Sequence, residues 1–477
     1  MTNPSAPTEL KRDLGAWAAA SIVVGTVIGS GIFLVPKTMI QRAGTPHMVF
    51  LVWVVGGLLS LAGALSYAEL AAALPEAGGE YAFLREAYGP MWGFLYSWTQ
   101  MWVAKSGSIA TLATGFFVYL SNFYAPLDTV FYSLPLPLGP HGGPLELRYG
   151  QLFAIALILL LGWLNYYGVK LGGNVQVTVT IVKVALIAAI IFSGLALGHA
   201  HAPSAGAPGP GGTPPLTFAG FIAALVAALW AYDGWNNVSM VSSEVRNPRR
   251  NLPLALIGGT LAVIVIYLLA NWAYFHVLTA GEVAGADRPP AEMMRKIFDG
   301  AGANAVAIAA MISIFAALNG SILSGSRVPY AAARQGYFFS AIGRVNPKYH
   351  TPGVSILTLS AWASLLVLSG KYDDLFSLVI FASWILYGMT AAAVIVLRKK
   401  RPDLDRPYHT LGYPLVPVLF ILGASILLFS TLFDRPRESF MGIGLILLGL
   451  PFYFYWKRRK LSAASDRLSA TPGASGS

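Results

Sequence analysis

Two interrupted apolar runs hold the residues with the most chemistry to offer. In VVGTVIGSGIFLVP (Val23–Pro36), Gly25, Gly29, Ser30 and Gly31 stand in the middle of the run, although each glycine costs a helix interior about 0.8–1 kcal/mol against alanine. In TFAGFIAALVAALWAYDGWNNVSM (Thr217–Met240), the interruption is Ala231, Tyr232, Asp233 and Gly234, followed by Trp235, Asn236 and Asn237. Glycine removes the Cβ that keeps a ligand away from the backbone. An unwound turn then frees N–H groups at the start of the next half-helix, where the partial positive charge suits a carboxylate. Freed carbonyls at the end of the preceding half-helix have the opposite polarity and suit an ammonium group. Two such breaks facing each other would read the invariant part of a zwitterionic α-amino acid.

The elements that must position these residues follow from composition. Of 477 residues, 56% are hydrophobic and 11% charged, with a mean hydropathy of +0.61, whereas about a quarter of a soluble domain is charged. Long apolar stretches recur along the whole length, so the chain reads as one polytopic, all-α integral membrane protein. The net charge of +11 resides in short gaps between the runs, where it sets topology, so no nucleic-acid partner is expected. Cysteine is absent, which excludes a disulfide framework and a Cys-based metal site. Histidines 47, 141, 199, 201, 276, 350 and 409 lack ligand spacing except for the pair at 199 and 201, which lies in a Pro/Gly-rich loop. No metal, no cofactor and no catalytic residue is expected, since no nucleophile–base pairing appears either. Lys11 and Arg12 before an apolar run imitate a signal peptide, but the run from Leu14 to Ile40 far exceeds an h-region of roughly 7–15 residues.

A bilayer core of about 30 Å takes about 20 helical residues. Twelve spans are expected, near 14–40, 48–74, 91–122, 149–168, 173–197, 218–242, 253–278, 301–331, 354–369, 373–397, 413–433 and 439–456. Of the 32 lysines and arginines, 20 fall in the termini and even-numbered gaps, 9 in the odd-numbered gaps, and Lys105, Lys183 and Arg327 inside spans. The basic side faces the cytoplasm, so both termini are expected there. The expected organisation is a cytoplasmic tail (1–13), helices 1–5 (14–197), an extracytoplasmic Pro/Gly connector (198–217), helices 6–10 (218–397), helices 11–12 (398–456) and a disordered cytoplasmic tail (457–477).

The interruptions therefore lie at mid-membrane in spans 1 and 6. An unpaired amide costs several kcal/mol in hydrocarbon, so an unwound turn persists only where it lines a cavity or meets a ligand. Two breaks five spans apart are the mark of a transporter with inverted repeats of five helices. Helix packing through small residues is the competing reading of GTVIGSG. Packing requires no aspartate in AYDGWN, however, and intramembrane carboxylates mark functional sites.

The segments GTVIGSGIF (25–33), SYAELAAALPEAGGEYAFLREAYGP (66–90), WAYDGWNNVSMVSSEVRNPRRNLP (230–253), NGSILSGSRVPYAAARQG (319–336) and RPYHTLGYPLVP (406–417) closely resemble the L-amino-acid transporter (LAT) group of the amino acid–polyamine–organocation (APC) superfamily. The resemblance runs from about residue 11 to about 455. It implies a LeuT-like fold with a 5+5 inverted repeat, broken helices 1 and 6, and helices 11 and 12 appended. It assigns the substrate carboxylate to the amides of Gly29, Ser30 and Gly31. The amino group goes to carbonyls around Val27, Trp230, Ala231 and Asp233, with Trp230 as aromatic lid. Thr26, Tyr232, Gly234 and Asn236 complete the expected substrate site, and Ser383 and Trp384 are further candidates to line it. The family often has glycine where this chain has Asp233; the carboxylate either favours an extra amino group or hydrogen-bonds span 6 backbone. The resemblance also places Lys183 where sodium-coupled relatives bind an ion, a tethered ammonium bonding the carbonyls of broken span 1. Desolvation permits proton coupling through such a lysine, so Lys183 joins Trp230 and Glu244 as a gating or coupling residue.

Lys105 either points into the cavity, pairs with a carboxylate or stabilises a helix end. Arg327 is expected to pair with Glu69 or Glu244, and Glu244 with Arg246, Arg249 and Arg250 to edge a cytoplasmic gate. PEAGGEY (Pro75–Tyr81) reads as a turn and a short interfacial helix. The expected function is a sodium-independent amino acid exchanger working by alternating access, with a proton-coupled amino acid or polyamine symporter as the alternative and an amino-acid-sensing receptor as a reading of another class. Eukaryotic members of the resembled group pair by disulfide with a single-span glycoprotein. Without cysteine that linkage is impossible here, and a solitary protein of a bacterial inner membrane is expected.

Overall fold

The computed structural model describes residues 9–135, 144–199, 217–368, 372–434 and 436–469. The first apolar run forms α1 (Ala16–Val27) and α2 (Gly31–Ala43), which meet at 41°. Thr45 caps α3 (Pro46–Ala73), accepting from Met48 N with Pro46 in the first turn, where a missing N–H costs nothing. The connector helix α4 (Glu80–Tyr88) leads to α5 (Pro90–Leu120), which loosens into a π-helical turn at Gln100–Ala104. An exposed antiparallel hairpin, Val130–Leu134 with Leu145–Arg148, precedes α6 (Tyr149–Tyr166) and α7 (Val169–Ala196). The second interrupted run gives α8 (Phe218–Ala231), irregular backbone over 232–236 and the single turn α9 (Asn237–Met240).

The remaining helices are α10 (Pro248–Val277), α11 (Ala280–Gly285), α12 (Pro289–Arg334), α13 (Gly353–Val367), α14 (Tyr372–Lys400), α15 (Leu415–Asp434), α16 (Pro436–Leu447) and α17 (Gly449–Ser469). Nine helices among the described residues are long and apolar enough to cross a membrane, and the bent α1–α2 pair makes a tenth. The expected sixth and ninth spans contain shorter apolar helices, α8 with 14 residues and α13 with 15. The backbone of α12 leaves helical geometry at Phe298 and Asp299, just before the expected start of its span. Large apolar side chains face outward along the bundle, among them Trp163, Phe192, Leu254, Trp272 and Phe429. They form the surface that lipid covers. The chain is a multi-pass, all-α membrane protein.

The ends of the helices sort into two groups. At one end Gly78 N donates to Met240 O (2.8 Å), Leu14 N to Glu244 O (2.9 Å) and Arg246 N to Leu14 O (2.8 Å), while His350 Nδ1 lies 3.3 Å from Glu9 O. At the other end Lys37 pairs with Asp287 (2.6 Å), and Gln41 donates to Ala284 O (2.7 Å). The N-terminal segment thus lies with the even-numbered connectors. The tail expected to be disordered from 457 begins instead as helix, because α17 continues to Ser469 and Lys460 reaches Gln335 O (3.0 Å) and the face of Tyr337. The rest of that tail, and the Pro/Gly connector beyond His199, lie outside the described residues.

Candidate functional site

The first helix stops because Ile28 takes ψ near 87°, and its last turn closes through Ile28 N to Val24 O (3.1 Å). Gly29 N donates to Val27 O (2.8 Å), so the free donors at the head of α2 are the amides of Ser30 and Gly31, not all three expected. The carbonyls released on the other side are occupied. Lys183 Nζ, on α7 and fully buried, lies 2.7 Å from Gly25 O and 2.5 Å from Ile28 O. Ser313 Oγ on α12 donates to Ile28 O (2.8 Å). Gly25 makes room for α7, since a Cβ there would lie 2.0 Å from Gln176 Nε2.

The second break turns at Gly234, whose φ of +106° excludes most L side chains. Its carbonyl lies 2.9 Å from the Thr26 hydroxyl, which joins the two interruptions directly. A second tie comes from α10. The buried Tyr267 hydroxyl lies 3.0 Å from Val27 O and 2.8 Å from Ala231 O, the last residues of both first halves. With one proton it donates to one carbonyl at a time, so Ala231 O keeps a lone pair for a further donor in either case, and Val27 O, which already accepts from Gly29 N, keeps one while the hydroxyl proton lies on Ala231 O.

Thr26, Val27, Gly29, Ser30, Gly31, Trp230, Ala231, Asp233 and Gly234 line one cavity, closed on its other sides by Lys105, Ser108 and Leu112 of α5, by Asn237 and by Ser321 of α12. Two expected members turn away. Tyr232 points between α3 and α10, its hydroxyl on Trp53 O (3.1 Å) and its ring against Trp53 and Tyr267. Asn236 is fully buried and donates to Glu80 of the connector. Both departures have one cause: the irregular turn resets the helical phase, so spacing counted through 231–237 does not predict which face a side chain takes. Ser383 and Trp384 are also absent from the lining, and Trp384 stacks on Phe420.

Lys105 does line the cavity, with Nζ 2.7 Å from Asn237 Oδ1. Lys105, Ser108 and Leu112 are spaced i, i+3, i+7, one helical face, directly after the π-helical turn. That pattern was legible; its direction was not. Asp233 Oδ1 accepts from the Tyr387 hydroxyl (3.0 Å).

The chemical character of the cavity is now clear: bare amides at one helix start, carbonyls at two helix ends, and a mixed polar wall. The amino acid permease family model matches residues 14–452. The chain belongs to this family. It is 34% identical to the serine/threonine exchanger SteT of Bacillus subtilis (strain 168), over 95% of this chain and 98% of that one. It is 32% identical to the human b(0,+)-type amino acid transporter 1, over 96% and 90%. It is 30% identical to the mouse large neutral amino acids transporter small subunit 2, over 94% and 82%. These LAT-like relatives place this permease in the APC superfamily.

Below the cavity, Glu244 pairs with Arg327 alone of the expected partners. Nε–Oε1 is 2.7 Å, Nη2–Oε2 is 3.0 Å, and both side chains are fully buried. Arg246 instead approaches Asp13, Arg249 pairs with Asp405, and Glu69 is taken by Arg398 and Arg406. The Glu244–Arg327 pair joins the end of the second broken helix to α12 under the cover of Leu14. Removing one partner strands a buried charge at a cost of about 3–5 kcal/mol. Glu244→Ala is therefore expected to lower the melting temperature of the purified protein sharply, and Glu244→Ala/Arg327→Ala to recover part of the loss. Equal melting for single variant and parent would show that the pair carries no stability.

Proposed function

We propose that this permease is a sodium-independent amino acid exchanger, with the α-carboxylate on the Ser30 and Gly31 amides and the α-ammonium on the carbonyls of Val27 and Ala231. The observation that carries the reading is the meeting of opposite helix ends at one cavity, because a zwitterion satisfies both polarities at once. Trp230 at the cavity wall is the lid, and alternating access is rocking of the helices that bear the breaks against the rest. Sodium independence is supported by Lys183, whose ammonium already bonds the carbonyls an ion would take. The relatives that are exchangers by name support exchange.

The same reading takes the chain as twelve spans in a 5+5 inverted repeat, in a bacterial inner membrane with both termini cytoplasmic. The 20-to-9 bias of basic residues supports that orientation. A solitary chain follows from the absence of cysteine, which rules out a disulfide-linked partner subunit.

Purified protein in liposomes preloaded with unlabelled amino acids is expected to accumulate labelled serine, threonine or larger neutral amino acids, and empty liposomes to accumulate almost none. Uptake into empty liposomes driven by a pH gradient would replace exchange by proton symport. Ser30, 2% exposed, stands where the carboxylate lies, so Ser30→Leu is expected to abolish accumulation while leaving the protein folded. Normal uptake by that variant would remove the site.

A further inference from the structure

The connector between α3 and α5 is a turn followed by the short helix α4, as its sequence suggests, but it also packs under the second break. Gly78 and Gly79 carry it beneath the second break at positive φ, and a Cβ on Gly79 would lie 2.6 Å from Ser239 Oγ and 2.7 Å from the Ser239 carbonyl carbon. This close pass delivers Glu80, 0% exposed, to the underside of the cavity. Its carboxylate accepts from Asn236 Nδ2 and from Ser239 Oγ (3.0 Å). Among the described residues no lysine, arginine or histidine forms an ion pair with it.

The neighbouring arginines are committed elsewhere, and the neighbouring lysine bonds a neutral amide. Arg85 of the same helix pairs with Glu76 and Glu86, Arg327 with Glu244, and Lys105 bonds Asn237. The other groups facing Glu80 are Tyr67 of α3, Tyr96 of α5 and Tyr387 of α14, together with Lys105 of α5, the one group there among the described residues that can bring positive charge, which attracts the carboxylate without forming an ion pair with it. One further detail decides what is missing. Asn236 Oδ1 is buried beside this carboxylate without a donor, and such an orphan costs about 1–3 kcal/mol. A carboxylate has no proton to give it. A carboxylic acid does, and an acid and a carboxamide close a ring of two hydrogen bonds in which all four groups are satisfied.

We propose that Glu80 is a proton-binding site: protonated, it locks to Asn236 and holds the second broken helix closed over the connector; ionised, it releases that lock. The proton comes from, and returns to, water on the connector's side of the membrane when this end opens. Burial pushes the Glu80 carboxyl above its ordinary range, against the pull of its hydrogen-bond donors. Its titration therefore moves toward neutral pH. An ionised carboxylate buried without an ion pair also disfavours the closed packing, so exchange accelerates as pH rises.

The effect on rate rests on the exchanger reading; the protonation does not. Two measurements on the full protein separate them. In proteoliposomes, wild-type exchange is expected to rise about threefold or more between roughly pH 5.5 and 8. Glu80→Gln, which copies the acid's shape and donor, is expected to stay at the low-pH rate throughout. In detergent, infrared difference spectra of wild type are expected to show a protonated carboxyl band that disappears on raising the pH and is missing from Glu80→Gln. A Glu80→Gln protein that keeps the wild-type pH slope, or a band unchanged by the substitution, overturns the site. Should Glu80→Gln not assemble, Glu80→Asp is expected to loosen the ring and shift the band's transition to lower pH, and an unmoved transition overturns the site equally. A wild type that exchanges no amino acid yet shows the band sinks the exchanger reading alone.

Discussion

Lys183→Ala is expected to reduce exchange by about 5- to 150-fold while leaving a folded, monodisperse protein. Lys183 Nζ sits 2.7 Å from Gly25 O and 2.5 Å from Ile28 O, and Gly25 O has no other side-chain donor among the described hydrogen bonds. Ile28 O retains the Ser313 hydroxyl, so the break loses half of its support. A buried carbonyl left without a donor costs about 1–3 kcal/mol, which at about 1.4 per tenfold gives that range. Global unfolding is not expected, because α7 remains held along its length by Gln176 and Thr180, each 3.3 Å from Ser21 O. The measurement is initial exchange rate per folded protein across pH. Kinetics unchanged from wild type would mean that the carbonyls are served by water and that Lys183 has no part in the cycle.

Gly31→Val is expected to remove measurable substrate binding. A Cβ at Gly31 would lie 2.7 Å from both Cα and Cβ of Ala231, so the two breaks touch here backbone to backbone. No flexible side-chain end is available to give way. Overpacking of this kind costs about 1–3 kcal/mol even when the surroundings adjust, and the adjustment would separate the amides of α2 from the end of α8. Affinity is expected to fall by about 100-fold or more, measured by isothermal titration or by thermal shift with the accepted amino acid. Gly31→Ala tests the same contact with less bulk and is expected to fall between the two. Wild-type affinity for Gly31→Val would show that the two breaks do not form one binding site.

Much of the fold was readable because hydrocarbon enforces it. A stretch of apolar residues that must satisfy its own backbone has to be a helix, and glycine or aspartate in its middle announces a place where that rule is suspended. The expected boundaries at 48–74, 149–168 and 413–433 meet helices at Pro46–Ala73, Tyr149–Tyr166 and Leu415–Asp434. Less was readable at the site. Tyr267 and Ser313 are ordinary polar residues in apolar helices, indistinguishable by sequence from side chains bonded within their own turn, as Thr260 is to Leu256 O (2.7 Å). Glu80 sat in a segment that composition assigns to the interface, and only the fold pulls it under the break.

By itself the sequence determined that the chain crosses a membrane repeatedly, that it interrupts two of its helices, and which family it belongs to. The first two are properties of composition and of local backbone cost, and the third rests on the resemblance of its motifs to a known family. Tertiary structure alone decided that Asn237 and not Asn236 faces the cavity, that Arg327 takes Glu244 while Glu69 takes Arg398, and that one tyrosine hydroxyl spans both breaks. Through an irregular turn the 3.6-residue period no longer carries direction, and partners more than 80 residues apart are chosen by how helices pack, which no local pattern records.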